Sequence, residues 1–186
     1  MLEIEVKYPL PDAEPAISRL KEWGARLIED RTDADHYFNA PDRDFARTDE
    51  AFRLRRIGER NFLTYKGPKL DSTTKTRKEI EVAVGAGEGA ADELIHLFRE
   101  LGYRSVAVVR KRRAVYELER EGFTLHFCFD DVEGVGRFAE IEIVAEEANY
   151  ERARTLLLRV AGEMGFGESE RRSYLQMLLA ARGSTA

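Results

Sequence analysis

The tightest constraint on this chain is charge laid out at a spacing of two. Residues 3–6 read "EIEV", residues 79–82 repeat it, and residues 140–143 read "EIEI". Side chains alternate sides along a β-strand, so Glu3 and Glu5 share one face while Ile4 and Val6 share the other, with Lys7 continuing the charged face. The same alternation runs through "FRLRRI", where Arg53 and Arg55 flank Leu54, and "LTYKG", where Thr64 and Lys66 oppose Leu63 and Tyr65. "RKEIEV" sets Arg77, Glu79 and Glu81 against Ile80 and Val82. "VVRKRR" carries Lys111 and Arg113 on one parity, with Arg110 and Arg112 on the other. "LHFCFDD" aligns His126, Cys128 and Asp130, and "FAEIEI" aligns Glu140 and Glu142, each against an apolar face.

Taken singly, each is a surface strand with its charges in water. Taken together they fit that reading poorly. Surface strands favour Thr, Ser, Gln and Lys, and like charges two apart repel unless opposite charge sits among them. An α+β fold reconciles them: a closed eight-stranded antiparallel β-barrel, in effect a tunnel, with a charged lumen and helices packed on its apolar outside. Closure also removes vulnerable sheet edges. Acids (Glu3, Glu5, Glu79, Glu81, Asp130, Glu140, Glu142) and bases (Lys7, Arg53, Arg55, Lys66, Lys111, Arg113) then share one cavity.

Such a cavity is not dry, because desolvating each ion costs about several kcal/mol. It is expected to hold water and a highly charged ligand. Clustered Arg and Lys suit phosphate oxygens, and carboxylates beside phosphates suit Mg²⁺ or Mn²⁺. A polyphosphate carrying a divalent metal meets both demands, and its chemistry is phosphoryl or nucleotidyl transfer.

The remaining segments supply the outside of this barrel. Apolar residues at helical spacing recur three times: Ala13, Ala16, Ile17, Leu20 and Trp23 before Gly24; Ala91, Leu94, Ile95, Phe98 and Leu101 before Gly102; Ala153, Leu156, Leu157, Val160 and Met164 before Gly165. Each predicts an amphipathic helix ended by glycine. "SYLQMLLAA" predicts a last helix, and "PDRDFARTDEA" a polar loop with a helical turn. One domain over 1–182 with a flexible tail at 183–186 accounts for all 186 residues.

Composition removes several classes. A net charge of −5 argues against a nucleic-acid partner. The start "MLEIEVKYP" lacks a signal segment and no apolar run reaches membrane-span length, so a cytoplasmic protein without membrane partners is expected. The single cysteine, Cys128, reads as an inert buried thiol, and one Cys with three scattered histidines cannot form a structural zinc site. His126 shares the lumen parity but reads as a hydrogen-bonded structural residue; His36 and Trp23 read as packing or surface positions.

Four ordered blocks carry a family resemblance: "EIEVK" at 3–7, "DHYFNAPDRDFARTDEAFRLRR", "LTYKGPKLDSTTKTRKEIEV" with a later "KRR", and "FDDVEGVGRFAEIEI". The first resembles the ExExK signature of the CYTH superfamily, the triphosphate tunnel enzymes, and the set lies closest to the branch that includes class IV adenylyl cyclases. The resemblance implies the same eight-stranded tunnel and assigns roles. Glu3, Glu5, Glu140 and Glu142 would bind metal with Asp130 lining the metal side, and Glu3, Glu5, Lys7 and Glu140 form the catalytic set. Lys7, Arg53, Arg55, Lys66, Lys111 and Arg113 would grip a triphosphate, supported by Glu79, Glu81 and Arg77. Arg110 and Arg112 go to the outer surface, and Ser173 and Tyr174 resemble a C-terminal element that closes the tunnel.

Three activities stay open at this level: cyclisation of ATP with release of pyrophosphate, hydrolysis of inorganic, thiamine or nucleoside triphosphate, and polyphosphate binding without catalysis. Branch resemblance favours the first. The residues themselves recognise phosphate and metal rather than a base, which favours the second. Family members are often dimers, so a homodimer is open by analogy.

Overall fold

Eight antiparallel strands follow one another around a closed barrel in the order β1-β5-β4-β3-β2-β6-β7-β8. They are β1 (Leu2–Pro9), β2 (Arg26–Asn39), β3 (Ala51–Ile57), β4 (Arg60–Lys66), β5 (Arg77–Val84), β6 (Arg104–Arg120), β7 (Phe123–Val132) and β8 (Gly136–Ala145). The computed structural model describes residues 2–70 and 73–183.

The register turns the charged parity inward. Glu5 lies opposite Glu142 and Lys7 opposite Glu140 across β1 and β8. Arg113 faces Asp130 across β6 and β7, and Lys66 faces Glu79 across β4 and β5. The closing seam is short: β1 and β5 pair only at Leu2 with Lys78 and Glu3 with Arg77. The loop after β4 extends it, through the Lys75 amide donating to the Glu5 carbonyl at 2.8 Å.

The apolar parity meets helices. α1 (Glu14–Glu22) and α4 (Tyr150–Met164) cover β1, β7 and β8, burying Ile4, Leu125, Phe127, Ile141 and Ile143 with Leu20, Leu156 and Leu157. α3 (Gly87–Glu100) buries Phe98 against Phe38 and Leu54. After it Gly102 takes φ +86°, which favours glycine, and an added Cβ would also crowd Pro41 Cβ at 3.1 Å. α2 (Phe45–Thr48) is one turn capped by Asp44. α5 (Tyr174–Gly183) lays Tyr174, Met177 and Leu178 against Tyr37, Val109, Val132 and Phe138 at one end of the barrel. Gly183, expected in the tail, closes this helix, and residues 184–186 lie outside the described residues.

Two details differ from the sequence expectation. β2 is a full strand, although its outer face carries Asp30, Thr32 and His36 rather than an apolar row. The outside of β5 is not an apolar face under a helix among the described residues: Ile80 and Val82 are half exposed. Among the described residues no helix is long and apolar enough to cross a membrane.

Candidate active site

The lumen holds a cavity of about 440 Å³ lined by charged side chains from seven of the strands and from the loop after β4. Glu3 and Glu5 of β1 and Glu142 of β8 each place a carboxylate oxygen so that the three oxygens lie within 4.8 Å of one another. Burial raises the Glu3 carboxyl, with Glu79 beside it acting in the same direction and Lys66 opposing. Burial, with Glu3, Glu140 and Glu5 nearby and Arg113 opposing, brings Glu142 up to about 7. Glu3 and Glu142, both held back from ionising within this acidic group, mark a site short of positive charge. All their donors are oxygens, the set that Mg²⁺ and Mn²⁺ prefer, so these residues fit such an ion.

Ammonium groups stand against this acidic group. Lys66 Nζ lies 2.6 Å from Glu3 and 2.8 Å from Glu79, and Lys75 Nζ donates to Glu5 Oε1 at 2.6 Å. Lys7 Nζ donates to the Arg172 carbonyl at 2.6 Å and lies 4.0 Å from Glu140. Burial, then the neighbouring Lys75, lower Lys7 to about 7.

The guanidinium groups are held by their own acids. Arg55 Nε and Nη2 donate to the two oxygens of Asp35 at 2.7 Å each, and Arg53 Nη1 donates to Asp35 Oδ2 at 3.0 Å. Burial opposes ionisation of Asp35, yet Arg53 and Arg55 hold its carboxyl far below the usual range. Arg113 Nε donates to Asp130 Oδ1 at 2.7 Å, and its Nη2 also meets Glu140. Lys111 Nζ lies 3.3 Å from Asp130 and 4.0 Å from Asp33. Asp33 Oδ2 and Arg53 Nε are buried without a hydrogen-bond partner, which marks polar capacity that the protein's own groups leave unfilled.

The expected residues therefore divide. Glu3, Glu5 and Glu142 form the acidic group, while Asp130 and Glu140, expected at the metal, lie on Arg113 because the register puts Asp130 directly across from it. Glu79 braces Lys66, Glu81 accepts from Thr64 Oγ1 at 2.9 Å, and Arg77 reaches Asp49 at 3.3 Å. Arg112 pairs outside the barrel with Asp30. Cys128 is buried, and burial raises its thiol well above the ordinary range. His126 lies 3.7 Å from Glu117, and His36 bonds Ser105.

Sequence reasoning missed Asp33, Asp35 and Lys75 as lumen residues. The first two lie at strand spacing in "DADHYF", so the signal was present. Lys75 sits in a loop, where no periodicity exists. Ser173 caps α5 reciprocally with Gln176, at 2.8 and 3.1 Å, and so fixes where the helix starts. Tyr174 then reaches inward. Its hydroxyl donates to Asp130 at 2.8 Å, and its ring lies 4.1 Å from Lys7 Nζ and 5.1 Å from Lys111 Nζ.

Comparison with known proteins points the same way. The sequence profile of the CYTH domain matches residues 1–174. A Methanocaldococcus jannaschii protein, named provisionally as an adenylate cyclase, is 35% identical over 181 residues, covering 95% of this chain and 98% of its own. The adenylate cyclase CyaB of Aeromonas hydrophila is 29% identical over 178 residues, covering 92% of this chain and 86% of its own. Among solved structures, the PH1819 protein of Pyrococcus horikoshii superposes with a TM-score of 0.81 at 37% identity, covering 96% of this chain and 98% of that one.

Proposed function

Because the chain belongs to the CYTH domain family, we propose that it is a divalent-metal-dependent enzyme acting on a triphosphate in the tunnel, in the manner of a class IV adenylyl cyclase. ATP would be closed to cyclic AMP with release of pyrophosphate. The observation that carries this reading is the carboxylate trio Glu3, Glu5 and Glu142 facing buried ammonium and guanidinium groups within one cavity.

Each side chain has a part in it. Glu3, Glu5 and Glu142 would hold Mg²⁺ or Mn²⁺, which supplies polarisation of a phosphoryl oxygen and neutralisation of developing charge. Arg53 and Arg55, braced by Asp35, offer planar donors to phosphate oxygens. Lys7, Lys66, Lys75 and Lys111 line the cavity beside acids, so a polyanion entering it can take over as their partner. In the cyclase reaction O3′ of the ribose bonds to the α-phosphorus while the bridge to the β-phosphate breaks, and the proton of the 3′-hydroxyl leaves with the pyrophosphate. The charge gathering on the leaving pyrophosphate falls among these bases, already oriented before reaction.

A second reading is hydrolysis of a terminal phosphate. It is favoured by one observation: the lumen's charged side chains are of the kinds that suit phosphate or metal, or brace those that do, and the same set serves either phosphorus. Incubation with Mg²⁺ or Mn²⁺ and, in parallel, ATP or inorganic triphosphate separates the two. Cyclic AMP and pyrophosphate from ATP are the expected products. Orthophosphate alone overturns the cyclase in favour of the triphosphatase. Binding without turnover of either compound reduces the protein to a polyphosphate binder.

A further inference from the structure

Each acid of the trio already meets a cation of the chain. Lys66 Nζ lies 2.6 Å from Glu3, Lys75 Nζ donates to Glu5 Oε1 at 2.6 Å, and Arg113 Nη1 reaches Glu142 at 3.5 Å. Lys66 and Arg113 are strand residues with other acids to hold, Glu79 for the first and Asp130 and Glu140 for the second. Lys75 differs. It comes from the loop after β4, and its ion pair is with Glu5. Its backbone is tied to the same residue, since its amide donates to the Glu5 carbonyl at 2.8 Å. Thr74 and Thr76 on either side are buried and join their hydroxyls at 2.6 Å, which fixes the loop on both flanks of the lysine.

A buried ammonium so close to a metal-type carboxylate does two things. It neutralises Glu5, and it repels any divalent ion that approaches the same group. The Lys7 ammonium stands next to it, and two adjacent buried ammonium groups are costly unless an anion joins them. We propose that Lys75 is an internal counter-ion: it holds Glu5 until a polyphosphate enters, then passes to the phosphates, so that divalent metal is admitted with the substrate rather than before it. The inference rests on the triphosphate reading of the tunnel and adds a binding order to it. Because Lys75 has one charge to give, metal and polyphosphate each release it for the other's benefit, and the two bind with positive coupling.

The test reads Mn²⁺ binding from the loss of the free-ion EPR signal, without polyphosphate and without turnover. Lys75→Met removes the charge and should tighten Mn²⁺ about tenfold relative to the parent, whereas Lys75→Arg keeps the charge and should stay within about threefold. A lysine that merely props the loop gives the opposite sign, because its loss would loosen Glu5 and weaken the ion. The second arm is calorimetric titration of inorganic triphosphate in EDTA, where Lys75→Met should bind about tenfold more weakly. Lys75→Gln supplies the same comparisons if the Met variant folds poorly. Mn²⁺ binding that is equal or weaker without the charge, or absent in parent and variant alike, overturns the counter-ion. Tighter Mn²⁺ with unchanged triphosphate affinity overturns the transfer to phosphate. A parent that binds no triphosphate overturns the triphosphate reading itself, whatever the Mn²⁺ arm shows.

Discussion

Asp35→Asn tests whether the basic clamp is held open by internal acids. Asp35 is buried at 2% exposure and accepts three charged hydrogen bonds, two from Arg55 and one from Arg53. The amide keeps the shape but removes the charge and turns one acceptor into a donor aimed at a guanidinium. Two buried guanidinium groups then lose their counter-ion, with Asp33 as the nearest acid left, 3.7 Å from Arg55 Nε. Removing one partner of a buried ion pair costs about 3–5 kcal/mol. With a urea slope of about 2 kcal/mol/M, the unfolding midpoint should fall by about 1.5–2.5 M at unchanged slope. Inorganic triphosphate brings negative charge to the same guanidinium groups, so it should raise the variant's midpoint more than the parent's. Urea titrations followed by circular dichroism, with and without triphosphate, measure both effects. A midpoint within about 0.3 M of the parent would refute the claim that Asp35 holds the clamp, because that shift is under about 1 kcal/mol.

Stability without divalent metal should depend on pH through Glu142. Its carboxyl is raised from the ordinary 4.5 to about 7, so its contribution is complete below about 4.5 and is lost as pH rises through 7. Urea midpoints measured in EDTA across this window should fall with pH, and Glu142→Gln should flatten the fall; an unaltered slope in the variant assigns the proton elsewhere. Glu5→Gln should abolish metal-dependent turnover, while Arg55→Ala should chiefly raise KM, by about tenfold or more for a charged hydrogen bond; full activity in Glu5→Gln would remove β1 from the metal site. Tyr174→Phe keeps the ring beside Lys7 and Lys111 but loses the bond to Asp130, whereas Tyr174→Leu loses both. Calorimetry should find triphosphate affinity within about twofold for Phe and about five- to tenfold weaker for Leu; equal losses would mean that the hydroxyl, rather than the ring face, positions the lysines.

The barrel was legible where a helix covers it. β1, β7 and β8 each combine a charged lumen face with an apolar outer face, because α1 and α4 need something to pack against. Alternation of that kind states both faces at once. β2 gives only part of the signal: its outer parity carries Asp30, which pairs with Arg112, then Thr32 and His36 before Phe38 meets α3, so the spacing of its lumen acids Asp33 and Asp35 stood against no continuous apolar row. Lys75 was hidden for a different reason. Its place beside Glu5 depends on a loop hydrogen bond across the short β1–β5 seam, a long-range contact without local periodicity. The division of the acids was hidden too, since parity says that a carboxylate faces the lumen but not which neighbour it meets. That is set by cross-strand register. Arg113 stands directly opposite Asp130, while Glu5 stands opposite Glu142 and Glu3, two residues along β1, brings its carboxylate to the same pair. The same identity of residue, Glu or Asp on an inward parity, thus becomes a brace for arginine at Asp130 and Glu140 and a metal-type oxygen donor at Glu3, Glu5 and Glu142, with Arg113 reaching Glu142 as well at 3.5 Å. A one-residue slip of β8 against β1 would turn Glu140 and Glu142 outward and leave Glu3 and Glu5 without a third carboxylate. Packing of Ile141 and Ile143 beneath α4 resists that slip, so the apolar outside of the barrel keeps the proposed chemistry inside it in register.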